Sequence, residues 1–561
     1  MITFEEKKSK KLPGLTSLYL TFNYNIDIIN IIKLCDVKYF DKKKREWEVP
    51  LTSLSYLIDN LTLIDDITLK LLKSEKQESL PKLHIDTSNY PLQPYPYQLE
   101  AIEYGLQHKK WLLLDQAGLG KTSVIIHIAE ELYKQGKIKH CLIICGINNL
   151  KFNWKLEIKK HSNLSSVILG EKYTKKGKLR IGSVNDRCNH LLSDIKEFFV
   201  ITNIETLRND NIVKAIKKSK NNFDMIILDE AHTCKGTGTA QASNLLKLSD
   251  AQYKIGLSGT ILLNKPLDTY MPLRWIGMDS SCYSTFENYY TSFTGPFKTV
   301  FNGYKHLDIL KDQLDRCSLR RKKEDVLDLP KKTIINEYVE LDDRQQKFYD
   351  NIEQGIIDEV DKVKITTTSL LAMVSRLRQA SSNPSILTTE SIPSAKLQRA
   401  VELTKEIIES NNKVVIFSVF KDNVYKLSEL LSEYDPLVNT GDIKDTVITE
   451  NIDKFQNDPD KKIFLATSQK CGTGITLTAA SYMIFIDTPW TYGVYEQAQD
   501  RIYRIGTKDP VFIYNLIAKD TIDERVLQIV NNKKALSDYV IDDDMSVDTI
   551  ASLRKFIEEL N

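Results

Sequence analysis

The chain has 561 residues, too many for one hydrophobic core, so about three domains are expected. Hydrophobic residues make up 42% and charged residues 27%, as in a folded globular protein. The 77 basic and 75 acidic side chains leave a net charge of +2, so any nucleic-acid contact must come from local patches or backbone amides rather than a global field. Apolar runs are short, such as Trp111–Leu114, against the roughly 20 residues a membrane helix needs, so no membrane partner is expected. The first ten residues hold no secretory apolar stretch. The eight cysteines are scattered without zinc spacing, and Cys141 and Cys145 lie in an apolar run as core thiols. An intracellular, reducing location follows. The Lys-, Asn- and Ile-rich composition suggests the cytoplasm of a bacterial or phage-infected cell.

Residues 1–88 read as a small α+β module. Alternating segments SLYLTFN and REWEVPL predict half-buried strands, and IDIINIIKL between them predicts a helix. Ser79–Pro96 is proline-rich and reads as a linker. Over 92–275 the apolar runs WLLLD, HCLIIC, SVILG, FFVITN, MIILD and KIGLSG alternate with helical patterns. Continuous apolar strands separated by helices predict an α/β lobe whose parallel sheet is covered on both faces. Residues 276–410 read as helical and irregular. Over 411–561 the alternation returns in KVVIFS, PLVNT, KIFLATS, YMIFID and VFIYNLIA, and an amphipathic helix is predicted from Thr521.

Three motifs carry nucleotide chemistry. Asp115–Thr122, DQAGLGKT, lies between a strand and a helix, the setting of a phosphate-binding loop. Gly118 and Gly120, with Leu119 between them, let backbone amides approach phosphate oxygens. Lys121 offers a charge to the β- and γ-phosphates, and the Thr122 hydroxyl can ligate magnesium. Asp115 stands where the usual pattern has glycine. In Leu228–His232, LDEAH, Asp229 can hold the metal and Glu230 can orient and deprotonate water. Upstream, the Gln98 amide can read adenine with one donor and one acceptor. In the distal Gln497–Gly506 segment, QAQDRIYRIG, Arg501 and Arg504 are expected on one helix face as arginine fingers. ATP and Mg2+ are the implied cofactors, and the split of the residues between two blocks predicts that ATP is handled by both.

DQAGLGKT, LDEAH, GLSGT and QAQDRIYRIG, in this order, resemble superfamily-two helicase-like ATPases. LRRKKEDVLDLPKK at Leu319–Lys332 and RLRQASSNPSIL at Arg376–Leu387 narrow the resemblance to the Swi/Snf-type branch over about 92–540. The resemblance implies two RecA-like lobes with helical insertions between them and a DNA-dependent ATPase acting as a monomeric motor on duplex, forked or branched DNA. It places Gln497 and Gly474 at the nucleotide, and Leu257–Thr260 as the segment linking ATP state to lobe closure. It places Asn153, Trp154, Thr202, Ser468 and Lys470 at DNA. The Ser468–Thr478 segment is more compact than in many relatives, and Ile261 stands where proline is common. The N-terminal module resembles the HARP domain of annealing helicases, which implies that Phe40 and Trp47, beside the basic turn Lys42–Arg45, stack on bases. Fork regression or annealing in replication, recombination or repair is therefore the expected use. Displacement of bound proteins such as polymerase is the alternative. A motor subunit of a defence or restriction complex and a non-hydrolysing scaffold are readings of other classes, the scaffold disfavoured by Lys121, Glu230, Arg501 and Arg504.

Overall fold

A computed structural model of the chain describes residues 2–8, 16–35, 38–50, 57, 83, 85–88, 90–146, 150–173, 179–234, 238–248, 250–259, 266–279, 282–294, 300–360, 367–468, 475–528 and 530–531. The fold is α/β, and the described residues form two parallel sheets, a four-stranded antiparallel sheet and two short antiparallel hairpins. The chain divides into two compact units: Met1–Gln116 with Gly120–Arg321, and Ala117–Leu119 with Lys322–Asn561.

The N-terminal sheet contains β1 (Ile2–Lys8), β2 (Thr16–Phe22), β3 (Tyr39–Asp41) and β4 (Glu46–Pro50) in the order β1-β2-β4-β3. Every neighbouring pair is antiparallel. Helix Ile26–Leu34 starts where the Asn25 side chain accepts the Ile28 N–H at 3.2 Å, a helix N-cap. Its Ile28 and Ile32 share a buried cluster with Leu18, Leu20 and Val49. The two strands and the helix expected from the sequence are all present. β1 was not anticipated, because its Glu and Lys residues are poor strand formers whose sequence resembles a solvated run.

The first α/β sheet is formed by β5 (Lys110–Leu113), β6 (Cys141–Cys145), β7 (Ser166–Ile168), β10 (Phe199–Asn203), β11 (Met225–Asp229), β12 (Tyr253–Leu257) and β15 (Ser318–Leu319). Two short hairpins intervene in the chain: β8 (Glu171–Tyr173) with β9 (Leu179–Ile181), and β13 (Thr291–Thr294) with β14 (Val300–Tyr304). The seven sheet strands are ordered β15-β5-β12-β11-β6-β10-β7, and all pairings are parallel. Every residue of β6, β10 and β12 is buried, as strands covered on both faces require. Helix Lys121–Lys134 buries Val124, Ile125, Ile128 and Leu132 against this core.

The second sheet uses β16 (Lys332–Val339), β17 (Val414–Ser418), β18 (Leu437–Asn439), β19 (Ile463–Thr467), β20 (Tyr482–Phe485) and β21 (Val511–Ala518). Its order is β16-β21-β20-β17-β19-β18, also parallel throughout. Buried apolar clusters cover both faces. Under one of them Lys396, fully buried, reaches Asp523 at 2.5 Å and Asp487 at 3.6 Å. Arg378 donates to the Thr488 carbonyl at 2.6 Å and stacks on Trp490.

One boundary differs from expectation. Residues 276–410 are not purely helical, because β15 adds an edge to the first sheet and β16 an edge to the second. Both are easily missed. β15 has two residues, and β16 alternates half-buried with exposed positions instead of forming a continuous apolar run. The helix expected from Thr521 begins at 522, and its later part lies outside the described residues. No helix among the described residues is long and apolar enough to cross a membrane.

Candidate active site

Strand β5 ends at Leu113, and helix Lys121–Lys134 begins eight residues later with Gly120 as its N-cap. Gly120 has φ +78, a left-handed conformation open to glycine, and a side-chain carbon there would collide with the Gln98 amide. Gly118 is likewise left-handed, with φ +87. The loop therefore takes its shape from its glycines, and it ends at a helix N-terminus, where backbone N–H groups favour an anion. The half-buried Lys121 folds its ammonium back onto the carbonyls of Asp115 at 2.7 Å and Gln116 at 3.3 Å. Thr122 follows it, also half-buried. Gln98 is buried in helix Pro96–Gln107, its side-chain oxygen accepting the Tyr95 N–H at 3.0 Å.

Asp229 and Glu230 stand at the end of β11, two strands from β5. Burial, and then the neighbouring Glu230 charge, raise the Asp229 carboxyl to about 6. Asp229 accepts the Trp154 indole N–H at 2.7 Å and the Glu230 backbone N–H at 2.9 Å. Glu230 is held at φ 50, a costly conformation for a residue with a side chain. Its carboxylate lies 3.2 Å from His232, whose ring nitrogen meets the Ser258 hydroxyl at 3.0 Å. His232 thus stands between the Glu230 carboxylate and Ser258 of the Leu257–Thr260 segment, of which Thr260 lies outside the described residues.

These residues suit magnesium. A hydroxyl and a carboxylate are hard oxygen donors, and the raised Asp229 carboxyl shows a pair that a cation would relieve. Among the described residues no group of three or more His, Cys, Asp or Glu is arranged to cage a metal.

In the second unit, helix Tyr492–Gln499 carries buried Gln497 and stops before the two arginines. Arg501 and Arg504 therefore do not share a helix face, as their spacing had suggested. They lie in the turns that follow the helix. The turns nevertheless bring both guanidinium groups to one place. Arg501 donates to the Ile475 carbonyl at 3.2 Å, and Arg504 to the same carbonyl at 3.5 Å and to the Thr476 hydroxyl at 2.8 Å.

The residues expected at DNA fare differently. Trp154 is 1% exposed and spends its N–H on Asp229, so it takes a core position supporting the carboxylate instead of an outer face. Its neighbour Asn153 is half-buried. Thr202 is buried in β10, and Ser468 is buried with its hydroxyl on the Ser418 carbonyl. Lys470 and Gly474 lie outside the described residues. In the N-terminal sheet Phe40 is 46% exposed and its ring meets that of half-buried Trp47 at 4.9 Å.

Sequence reasoning missed Arg321. Its guanidinium grips the buried Asp115 carboxylate in a two-point pair, with Nε donating at 3.0 Å, and also donates to the Tyr97 carbonyl. The signal was available: a buried aspartate at the head of the loop needs a cation.

An SNF2-related domain matches residues 97–386, slightly more than half of the chain, and a helicase conserved C-terminal domain matches 395–506. The chain belongs to the SNF2-related family. An uncharacterized ATP-dependent helicase of Mycoplasma pneumoniae is 27% identical to this SNF2-related chain over 465 residues, 80% of this chain and 42% of the relative. A second uncharacterized ATP-dependent helicase, from Mycoplasma genitalium, is 27% identical over 509 residues, 88% of this chain and 46% of the relative. The chain spans less than half the length of these curated relatives. A solved Sulfolobus solfataricus SWI2/SNF2 ATPase core in complex with dsDNA is 24% identical, with a TM-score of 0.38, covering 85% of this SNF2-related chain and 98% of that one. Both matched domains lie outside the N-terminal sheet, which they leave unassigned.

Proposed function

We propose that the chain is a DNA-dependent ATPase that uses ATP and Mg2+ to move along DNA and remodels branched DNA in replication, recombination or repair. The observation that carries the ATPase reading is that Lys121, at the start of the helix that follows β5, acts with its charge on Asp229 at the end of β11, with Glu230 beside it, in an SNF2-related chain. Lys121, already directed at the loop carbonyls, moves its charge to the β- and γ-phosphates. Thr122 and Asp229 would hold magnesium, which would supply the positive charge that phosphoryl transfer needs. Glu230 orients the attacking water and accepts its proton on a carboxylate oxygen. Arg501 and Arg504 stabilise charge developing on the transferred phosphoryl group. DNA is held through its phosphates, so motion is independent of sequence.

The branched-DNA part rests on the N-terminal sheet. There the exposed Phe40, next to the exposed turn containing Lys42, Lys43, Lys44 and Arg45, offers a ring and charges to unpaired bases. The test is the ATPase rate of the whole chain on single-stranded, duplex, forked and four-way DNA, with RNA as control, repeated after deleting residues 1–88. Stimulation strongest on forks, and lost selectively in the deletion, is the expected result. Equal stimulation by plain duplex, unchanged by the deletion, would favour a motor that displaces bound proteins.

A further inference from the structure

Gly146 follows the last residue of β6 and belongs to none of the motifs described above. Its neighbour Cys145 pairs with Asp229 in the final rung of the parallel ladder between β6 and β11. One residue beyond that rung, the two chains run against each other. A side-chain carbon at 146 would lie 2.6 Å from the Thr233 hydroxyl oxygen, 2.8 Å from the Glu230 Cβ and 3.0 Å from the Asp229 backbone carbonyl. Nonbonded heavy atoms prefer about 3.5–4.0 Å. The carbonyl is backbone and the Glu230 Cβ adjoins it, so neither can swing aside. Glu230 turns to φ 50 at this same place. Such a conformation is costly and persists only where its surroundings over-determine it. From within, the turn is fixed by the Thr233 N–H donating to the Glu230 carbonyl at 2.8 Å and the Glu230 N–H donating to the Asp229 carboxylate at 2.9 Å. From outside it meets Gly146.

We infer that Gly146 is a positioning residue for the proposed hydrolysis: its missing side chain leaves the space in which the turn after β11 lies against the end of β6, and that contact sets the direction of the Glu230 carboxylate. The inference deepens the ATPase reading and rests on it. Gly146 is not itself left-handed, unlike Gly118 and Gly120. Its own backbone therefore admits an alanine, and the effect of a side chain there passes through the atoms it would meet. The helix that follows, Leu150–His161, reaches the same turn a second time. Its Trp154 holds one Asp229 oxygen at 2.7 Å, while the Glu230 N–H holds the other. One connection thus supports the carboxylates twice, with room at Gly146 and a hydrogen bond at Trp154. Gly105 provides the contrast. A side-chain carbon there would lie 2.4 Å from Ile128 and 2.8 Å from Trp111, both apolar side chains of the core.

Variants of the full chain test this, read by steady-state ATPase with duplex DNA, fluorescent ATP-analogue binding and thermal melting, with activities compared at equal fractions folded. Gly146→Ala should lower kcat about ten- to a hundredfold, since misplacing reacting groups by 1 Å costs on the order of 10²-fold. KM for ATP and analogue affinity should stay at the wild-type level, because Lys121 and Gln98 are not among the atoms met. Gly105→Ala should lower the melting temperature and leave kcat per folded molecule unchanged. Gly146→Ala combined with Thr233→Ala separates the contacts. Thr233→Ala removes a buried hydroxyl that has no hydrogen-bond partner among the described residues. The combination leaves the new methyl group against Glu230 and Asp229, so stability should recover while the kcat loss remains. It also carries the comparison should Gly146→Ala alone not fold. Wild-type kcat in folded Gly146→Ala would overturn the inference. So would an equal kcat loss in Gly105→Ala, or recovery of kcat in the combined variant. Lys121→Ala controls for the reading beneath: if it hydrolyses ATP as fast as the wild type, the ATPase reading fails and this inference with it.

Discussion

Asp229 shows how much of the proposed chemistry depends on neighbours that never touch substrate. Its carboxylate is buried beside Glu230 and carries a raised pKa, and the Trp154 indole N–H holds one of its oxygens at 2.7 Å. Trp154→Phe would keep the packing and remove that single donor. Losing an orienting partner of this kind typically costs about 10–100-fold in activity or metal affinity. The expected outcome is a matching loss in kcat or in apparent magnesium affinity, with ATP-analogue binding and melting temperature nearly unchanged. An unaltered magnesium titration and kcat would show that the bond orients nothing. Trp154 also marks the limit of reading residues singly. Its place in a motif was legible in the sequence, but whether an indole at that place faces solvent or the core depends on the packing of helix Leu150–His161, in which Lys151, Trp154 and Ile158 turn inward. Arg321 was hidden for a related reason. Its partner Asp115 lies 206 positions away, and only the folded sheet brings β15 alongside β5.

At the scale of elements, the helix that follows the phosphate loop carries a pH-sensitive residue unrelated to catalysis. His127 is 1% exposed, stacked on Tyr90 at 4.1 Å and set edge-on to His161 at 5.8 Å. Burial, with a smaller contribution from His161, lowers its pKa from 6.5 to about 4. The folded state therefore holds His127 neutral while the unfolded chain takes up a proton below about pH 6.5. Its contribution to stability is full above that pH and is lost as pH falls towards 4, by on the order of 3 kcal/mol in all. His127→Phe should preserve the stacked packing and flatten the decline of melting temperature between pH 6.5 and 4. An identical decline in both proteins would assign the acid sensitivity elsewhere. Elements were legible in the sequence where burial on both faces produces an unbroken apolar run, as in CLIIC and VVIFS. They were less legible where a strand lies at a sheet edge, as in β16, or where a helix ends early, as at Gln499. The end at Gln499 moved both arginines from a helix face to turns without separating their destinations, because the Ile475 carbonyl collects both.

For the whole molecule, the two parallel sheets divide the proposed reaction between them. Lys121 and the carboxylates follow strands of the first sheet and the arginine turns precede a strand of the second, and the sequence displays them as two sets of motifs nearly four hundred positions apart. The separation made the architecture legible early, since each set falls within its own stretch of alternating apolar runs and helical patterns. The N-terminal sheet was legible as a fold but not as a function, because exposed Phe40 and its basic turn fix a surface without fixing what binds there. The most direct measurement of the central claim is DNA-stimulated ATP hydrolysis by Arg504→Ala, alongside its affinity for an ATP analogue. Hydrolysis reduced by about 10³-fold or more with affinity retained is the predicted result, the scale on which arginine fingers act. Normal turnover in that variant would contradict the assignment of Arg504 as an arginine finger.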